Sequence, residues 1–325
     1  MFNVLKNTPP QLNDGRDKAL NRDNKRDISL DAGAGLMMIV TVFHHAGLLQ
    51  SYPLSLMHIF NFFMPWFFFK AGMFYKKQRI GFSVCNKYFK RYVIPALFCI
   101  AIKVMEEIAY GYLSGGNEDV FQWYPTILWF LEALLLCRII FDLLPDKKQV
   151  YYLVAVATFI IADIINRNEP SLPLIVKEIP MGLFYMSIGY LLKDIQYVKS
   201  KDVIILVMFF MYVLFLTVIP SKVDMRMERI LFGLFEVAVI GNIVGIVLLN
   251  NLTKICEPFI PRFLAFIGKE SMSYYIMHMS IMRAASVILV LCGISTYFKA
   301  FIVFLTVPVV IIIMEKLRVG WLLGK

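Results

Sequence analysis

Two adjacent histidines, His44 and His45, lie near the end of an apolar run that begins at about residue 30. Histidine accepts and releases a proton near neutral pH, which makes it a common general acid or base. A histidine within a membrane can also serve only as a hydrogen-bonding group between helices. Neighbouring residues on a helix point about 100° apart, so we expect at least one of the two imidazoles to have a chemical role.

Charged side chains interrupt several apolar runs, and each costs at least about 2.5–3.5 kcal/mol in hydrocarbon, so each requires a reason. Asp31 begins the run that carries the histidines, roughly 20 Å before His45 along a helix. Lys70 ends an aromatic-rich run and is expected to extend to the inner surface. Glu132 has no evident helical partner and could either do chemistry or pair with Arg138 or Arg283.

A basic segment, residues 76–91, follows the aromatic-rich run. Lys87 and Arg91 are four residues apart, so a helix places them on one face, and Lys90 lies beside them. Such a segment can be only a signal of membrane topology. It is also a surface that suits phosphate groups.

The composition indicates an integral membrane protein. Of 325 residues, 59% are hydrophobic and 17% are charged, with a mean hydropathy of +0.68, whereas soluble domains are about 45–50% apolar and about 25% charged. This excludes an ordinary soluble enzyme and a nucleic-acid-binding protein. We predict an all-α bundle of about ten membrane helices, at residues 30–49, 56–75, 92–113, 124–145, 149–166, 173–193, 202–220, 229–250, 270–292 and 296–316.

The distribution of basic residues predicts the orientation of these helices. With a cytoplasmic N-terminus, 23 of the 33 Lys and Arg residues lie in the tail, loops and terminus on the cytoplasmic side. Both termini are therefore expected in the cytoplasm, and the protein in the inner or plasma membrane as a multi-pass protein. Residues 1–28 are predicted to be a flexible tail, with no cleaved signal peptide, and residues 29–325 the membrane domain.

Five segments carry a resemblance to a known family: LDAGAGLMMIVTVFHHAGLL, FFMPWFFFKAGMF, KRYVIP, LWFLEALL and IGKESMSYYIMHM. Together, in this order, they resemble the acyltransferase 3 family of integral membrane acyltransferases, and in particular the short members that O-acetylate cell-surface sugars. Asp31, Gly35 and His45 stand in the family's first-helix register, which selects His45 over His44. The sequence departs from the family pattern at Ala34, where a basic residue is expected, and at Ala71, where a serine is common.

The resemblance implies transfer of an acyl group, most often acetyl, from cytoplasmic acyl-CoA to a hydroxyl of a surface or lipid-linked glycan. His45 would be the general base. The remaining implied residues fall into three groups: supporting residues Asp31, His44 and Glu132; donor-binding residues Lys70, Lys87, Lys90 and Arg91; and acceptor-binding residues Asn61, Trp129, Ser271, Tyr275 and His278. The five cysteines are scattered, and we expect acetyl-CoA as donor with no metal.

Two other functions fit the same pattern. Charged groups within membrane helices also mark the pathway of a transporter or flippase for a glycan or small acid, although no pair of Gly/Pro-broken helices in matching halves supports it. A non-catalytic membrane subunit of glycan assembly would tolerate the loss of the basic residue at Ala34. Consumption of acetyl-CoA would favour the enzyme, whereas gradient-dependent uptake without CoA release would favour transport.

Overall fold

A computed structural model describes residues 27–48, 59–113, 126–168, 171–193, 202–225 and 229–324. The predicted N-terminal tail lies, up to residue 26, outside these described residues. Within them the chain is helical apart from one two-stranded hairpin. The α-helices are α1 (Ile28–His45), α2 (Phe63–Met73), α3 (Phe82–Tyr88), α4 (Ile94–Leu113), α5 (Trp129–Leu143), α6 (Lys148–Asn168), α7 (Leu174–Leu192), α8 (Asp202–Val218), α9 (Phe235–Ile255), α10 (Arg262–Lys269), α11 (Ser271–Leu291) and α12 (Lys299–Lys316).

The predicted all-helical bundle is confirmed, and each predicted span contains a helix. Among the described residues, six segments are long and apolar enough to cross a membrane: α1, α6, α7, α9, α11 and residues Thr296–Lys316 around α12. Helix α4 carries three charged residues, and its Lys103 pairs with Glu107 as their spacing predicts. The number of ten crossings and the cytoplasmic position of both termini stay predictions.

The eighth predicted span begins too early in the sequence. Residues Lys222–Asp224 form strand β1, which pairs antiparallel with strand β2 at Arg229–Phe232. Gly233 follows β2 with φ +78°, a left-handed conformation that favours glycine and ends the strand. Helix α9 therefore starts at Phe235 and not at 229.

Helix α2 begins at Phe63, and the first three residues of that predicted span, 56–58, lie outside the described residues. Pro65 lies in its first turn, where the missing backbone N–H costs no helical hydrogen bond. Two short helices, α3 and α10, form within segments that were predicted to lie between membrane spans on the cytoplasmic side. Between α3 and α4 the chain makes a π turn at Phe89–Val93.

Helix α1 lies in the interior and packs against α9, α10 and α11. Two glycines allow α1 and α10 to meet backbone to backbone. A Cβ at Gly35 would overlap the Leu264 carbonyl, and a Cβ at Gly268 would overlap the Asp31 carbonyl. Glycine at these two positions thus permits the close approach of the two helices.

The outer helices of the bundle differ from α1 in burial. In α6 and in residues Thr296–Lys316, only 28% of the most apolar stretch is buried, against 67% in α1. Their large apolar side chains, including Leu153, Ile164, Leu305 and Val309, are exposed. In water such a surface would be unfavourable, so these faces are suited to contact lipid.

Candidate active site

Two cavities lie between the described helices, and they are named here for the side on which the predicted topology puts them. The inner cavity has a volume of about 630 Å³ and the outer cavity about 400 Å³. Both fall within the roughly 300–1,000 Å³ range of small-molecule sites.

The outer cavity contains both adjacent histidines at the end of α1. The helix ends there because Gly47 adopts φ +79° and its N–H bonds back to the His44 carbonyl. The His45 side chain is exposed to the cavity, whereas His44 is half-buried against Phe63, with ring centroids 5.6 Å apart. His45 is therefore the more accessible of the two imidazoles to a molecule in the outer cavity.

His278 of α11 lies directly beside His45, with ring centroids 5.2 Å apart. It is completely buried, at 0% exposure. The resemblance assigned His278 to the acceptor, but the described structure buries it behind His45.

Aromatic rings and amides complete the outer cavity. Trp129 and Tyr185 line it together with Asn61 and Asn242. The Asn242 amide donates to the Tyr185 hydroxyl at 2.9 Å, and the Asn61 amide donates to the Ser221 carbonyl at 3.3 Å. The second bond ties the chain before α2 to the residue that precedes β1.

The hairpin contributes two charged residues, Lys222 and Asp224, to the outer cavity. Burial lowers the pKa of Lys222 from its ordinary value, and the nearby Asp224 opposes this by favouring the charged amine. A partly buried cation and a carboxylate thus lie in the same cavity as the histidines.

The inner cavity is lined by four cationic side chains from four elements: Lys70, Arg91, Arg138 and Lys269. The acidic residues that line it are Glu270 and Glu315, so cations outnumber anions. Such a wall attracts a polyanionic ligand.

Lys70 and Arg138 are held against the cavity wall by neighbouring groups. Lys70 Nζ lies 3.8 Å from Asp31 Oδ1 and donates to the Leu30 carbonyl at 3.5 Å. Asp31 thus pairs with a basic group at the inner end of α1. The Arg138 guanidinium lies 5.2 Å from the Tyr75 ring centroid and donates to the Ala71 carbonyl at 3.4 Å.

The N-terminus of α11 also faces the inner cavity, through Ser271 and Ser273. The first turn of a helix presents unpaired N–H groups and a partial positive charge, which favour anions. This end adds to the four cations on the same wall.

The segment between α2 and α3 is anchored to Asp142 of α5. The Gln78 backbone N–H donates to Asp142 Oδ1 at 3.2 Å, and the Tyr88 hydroxyl donates to Oδ2. Burial and this hydrogen bond raise the pKa of Tyr88 to about 12. Asp142 therefore fixes the chain that leads into the π turn carrying Arg91.

Tyr275 of α11 lines both cavities. Its hydroxyl donates to the Ile127 carbonyl, and its ring packs against Phe130 with centroids 5.0 Å apart. Tyr275 is thus the boundary between the two cavities.

The structure brings together most of the residues proposed from the sequence. His44, His45, Asn61, Trp129 and Tyr275 line the outer cavity, and Lys70, Arg91, Ser271 and Tyr275 line the inner one. Ser271, assigned to the acceptor by resemblance, lies on the inner cavity.

Five predicted residues line neither cavity: Asp31, which pairs with Lys70, the buried His278, and Lys87, Lys90 and Glu132. Lys87 and Lys90 are exposed, and Glu132 is half-buried on α5. The proposed structural pairing of Glu132 with Arg283 is not observed among the described contacts, because Arg283 pairs with Glu106 and Glu107 of α4 at 3.6 and 3.2 Å.

Sequence reasoning missed Arg138, Lys269 and Lys222 as cavity residues. Arg138 carried a usable signal, since an arginine within an apolar helix marks a polar interior. Lys269 and Lys222 lie in segments between predicted spans, where basic residues are common and carry no such signal.

The model of the acyltransferase 3 family, described as an acyltransferase domain, matches residues 27–315, which is most of the chain. No curated protein and no solved structure matches the chain.

Proposed function

The chain belongs to this acyltransferase family, and from that premise we propose that it transfers an acetyl group from cytoplasmic acetyl-CoA to a hydroxyl of a cell-surface or lipid-linked glycan. The observation that carries the proposal is the pair of cavities that share Tyr275 as a wall, one cationic and one containing an accessible histidine.

The inner cavity supports the donor half of the proposal. Coenzyme A carries several phosphates, and guanidinium groups, ammonium groups and helix N-termini are the groups that bind phosphate best. Arg91, Arg138, Lys70 and Lys269 would hold these phosphates, with the N-terminus of α11 beside them. Lys87 and Lys90 lie outside this wall and would contribute only to the surrounding positive potential.

The outer cavity supports the acceptor half. A sugar ring has apolar C–H faces that pack against aromatic rings and hydroxyl edges that bond to amides and charged groups. Trp129 and Tyr185 offer the rings, and Asn61, Lys222 and Asp224 offer the polar partners.

The chemical step requires one base and no external reductant or oxidant. His45 removes the proton of the acceptor hydroxyl, and the oxygen forms a bond to the thioester carbonyl carbon. The C–S bond then breaks, and the CoA sulfur leaves as a thiol after taking the proton back from the His45 imidazolium. The acyl group ends on the acceptor and the protein is unchanged.

The thioester must reach the boundary between the cavities for this step to occur. Tyr275 and Phe130 stand at that boundary. The proposal therefore requires the pantetheine arm to pass along them while the nucleotide stays at the inner wall.

The proposal is tested with the full chain purified into lipid nanodiscs. Wild-type protein should release CoA thiol from acetyl-CoA faster when surface polysaccharide extract is added, and the polysaccharide should gain acetyl groups visible by NMR. His45→Ala should lose both signals, while Lys87→Ala, outside both cavities, should keep them.

The outcome that contradicts the proposal is acetylation by His45→Ala at the wild-type rate. Uptake of glycan driven by an ion gradient, with no CoA thiol released, would instead support the transporter. No CoA release from wild-type protein with any surface extract would favour a non-catalytic subunit.

A further inference from the structure

His278 is a buried histidine that has no role in the reaction proposed above. Its Nδ1 lies 2.8 Å from the Tyr275 carbonyl oxygen and 3.1 Å from the Tyr274 carbonyl oxygen. Carbonyl oxygens only accept hydrogen bonds, so Nδ1 carries the proton. In the neutral ring, Nε2 then carries the lone pair and can only accept.

The Nε2 atom is buried and has no hydrogen-bond partner among the described residues. A buried acceptor without a donor is destabilising, so such an atom in a fully buried side chain requires an explanation.

Among the described residues, two polar rings lie near His278, and only one of these two can supply a donor. The Tyr275 ring centroid is 5.9 Å away, but its hydroxyl already donates to the Ile127 carbonyl. The His45 ring is closer, at 5.2 Å, and its other side is open to the outer cavity. His45 is therefore the group that can turn an N–H toward Nε2.

We propose that His278 orients His45 for proton transfer by accepting a hydrogen bond from a His45 ring N–H at its own Nε2. This inference rests on the proposed function, in which His45 is the base. With one ring nitrogen bonded to His278, the other presents its lone pair to the acceptor hydroxyl.

The same contact stabilises His45 after it has taken the proton. Both nitrogens of an imidazolium are donors, so one N–H stays bonded to His278 while the other returns the proton to the leaving sulfur. His278 remains neutral and keeps its Nδ1 proton on the two carbonyls. It touches no substrate, so it is a positioning residue that completes a base-and-orienter pair.

Two amide variants separate positioning from mere packing. The amide of Gln reaches approximately the place of Nε2, whereas the shorter amide of Asn reaches that of Nδ1. We expect His278→Gln to keep most of kcat and His278→Asn to lose roughly 10- to 100-fold, the cost of misplacing a catalytic group. The KM for acetyl-CoA should not change in either variant.

The opposite order would overturn the inference. If Nδ1 and its carbonyl contacts were all that mattered, Asn would preserve activity and Gln would not. Both variants are checked for the wild-type elution profile and melting temperature, so that misfolding is recognised.

A double variant distinguishes failure of this inference from failure of the proposed function. If His45→Ala retains wild-type activity, the proposed function fails. If His45→Ala is impaired but His278→Asn matches wild type, only the present inference fails. If both single variants are impaired, adding His278→Asn to His45→Ala should not lower the residual rate further.

The tautomer of His278 can be measured without an activity assay. The chain has 4 His residues, so ¹⁵N-histidine NMR of the protein in nanodiscs can be assigned by single substitutions. We expect His278 to show a protonated Nδ1 and a hydrogen-bonded, unprotonated Nε2 whose shift changes in His45→Ala. A protonated Nε2, or a shift unaffected by His45→Ala, would overturn the inference.

Discussion

The inner cavity and the outer cavity meet at Tyr275 but present different polar groups. The inner wall has four cationic side chains, while the outer wall has two imidazoles together with amides and aromatic rings. Charge attracts a polyanion over several ångströms and from many directions. Proton transfer, in contrast, needs a heavy-atom separation of about 2.6–3.2 Å.

This difference is reflected in how firmly each group is held. Arg91 and Lys269 are exposed, and long flexible side chains can adjust to a phosphate. His45 has only two side-chain torsions and stands beside the buried ring of His278. The proposed donor-binding residues can thus be mobile, whereas the proposed base must be positioned.

Removal of the proposed base should have the largest effect on turnover and should leave acetyl-CoA binding at the inner cavity unchanged. His45→Ala is expected to lower kcat by about 10²–10⁴-fold, the usual value of a general base, without changing acetyl-CoA affinity. Turnover rates and equilibrium binding of acetyl-CoA, measured on the same preparation, check this prediction. His44→Ala is the matched control and should be less impaired; equal loss in both would remove the distinction between the two histidines.

Loss of an inner-cavity cation should produce the converse result. Arg138→Gln is expected to weaken acetyl-CoA binding by roughly 10- to 100-fold, the value of one charge-assisted hydrogen bond, with the KM for acceptor unchanged. Lys87→Gln, a cation outside the cavity, should bind acetyl-CoA nearly as wild type does. A larger defect in Lys87→Gln would place the donor on the exposed basic segment instead.

Disruption of the close contact between α1 and α10 should lower the stability of the protein more than its affinity for acetyl-CoA. In Gly268→Ala the new Cβ overlaps the Asp31 carbonyl, so we expect a loss of about 1–3 kcal/mol. Gly111→Ala is the control, because its Cβ meets no heavy atom within 4 Å, and alanine favours the helix. Melting temperatures in detergent should fall for the first and not for the second.

The smallest expected effect concerns pH and the anchor of the inner segment. The pKa of Tyr88 is raised to about 12 from an ordinary value of about 10. Its bond to Asp142 therefore contributes fully below pH 10 and is lost as pH rises from 10 to 12. Melting temperature should decline in that window, and the decline should be weaker in Tyr88→Phe; identical profiles would show that Tyr88 is not involved.

Much of the fold was predictable because a membrane-spanning helix has a local sequence pattern. A run of apolar residues is a one-dimensional property, so all the predicted spans contain helices. The errors lie where local chemistry competes with hydropathy, as in the hairpin before Phe235, whose strand is ended by Gly233 in a left-handed conformation. Apolar composition alone cannot distinguish such a strand from the start of a helix.

The candidate site was predictable only in part. His45 and Lys70 stood out because polar groups are costly in hydrocarbon. Glu132 stood out for the same reason, yet it lines neither cavity, while Arg138 on the same helix lines the inner one. The helical spacing alone does not say which face of α5 meets the interior.

By itself, the sequence determined a multi-helix membrane protein with histidines in its first membrane helix, because hydropathy, charge bias and motif spacing act over short stretches of chain. Only the tertiary structure decided which distant residues share a cavity and which nitrogen of His278 faces the Tyr274 and Tyr275 carbonyls. His45 and His278 belong to helices far apart in the chain, and their contact depends on how α1 and α11 pack. Such packing depends on many side chains at once, and no local pattern records it.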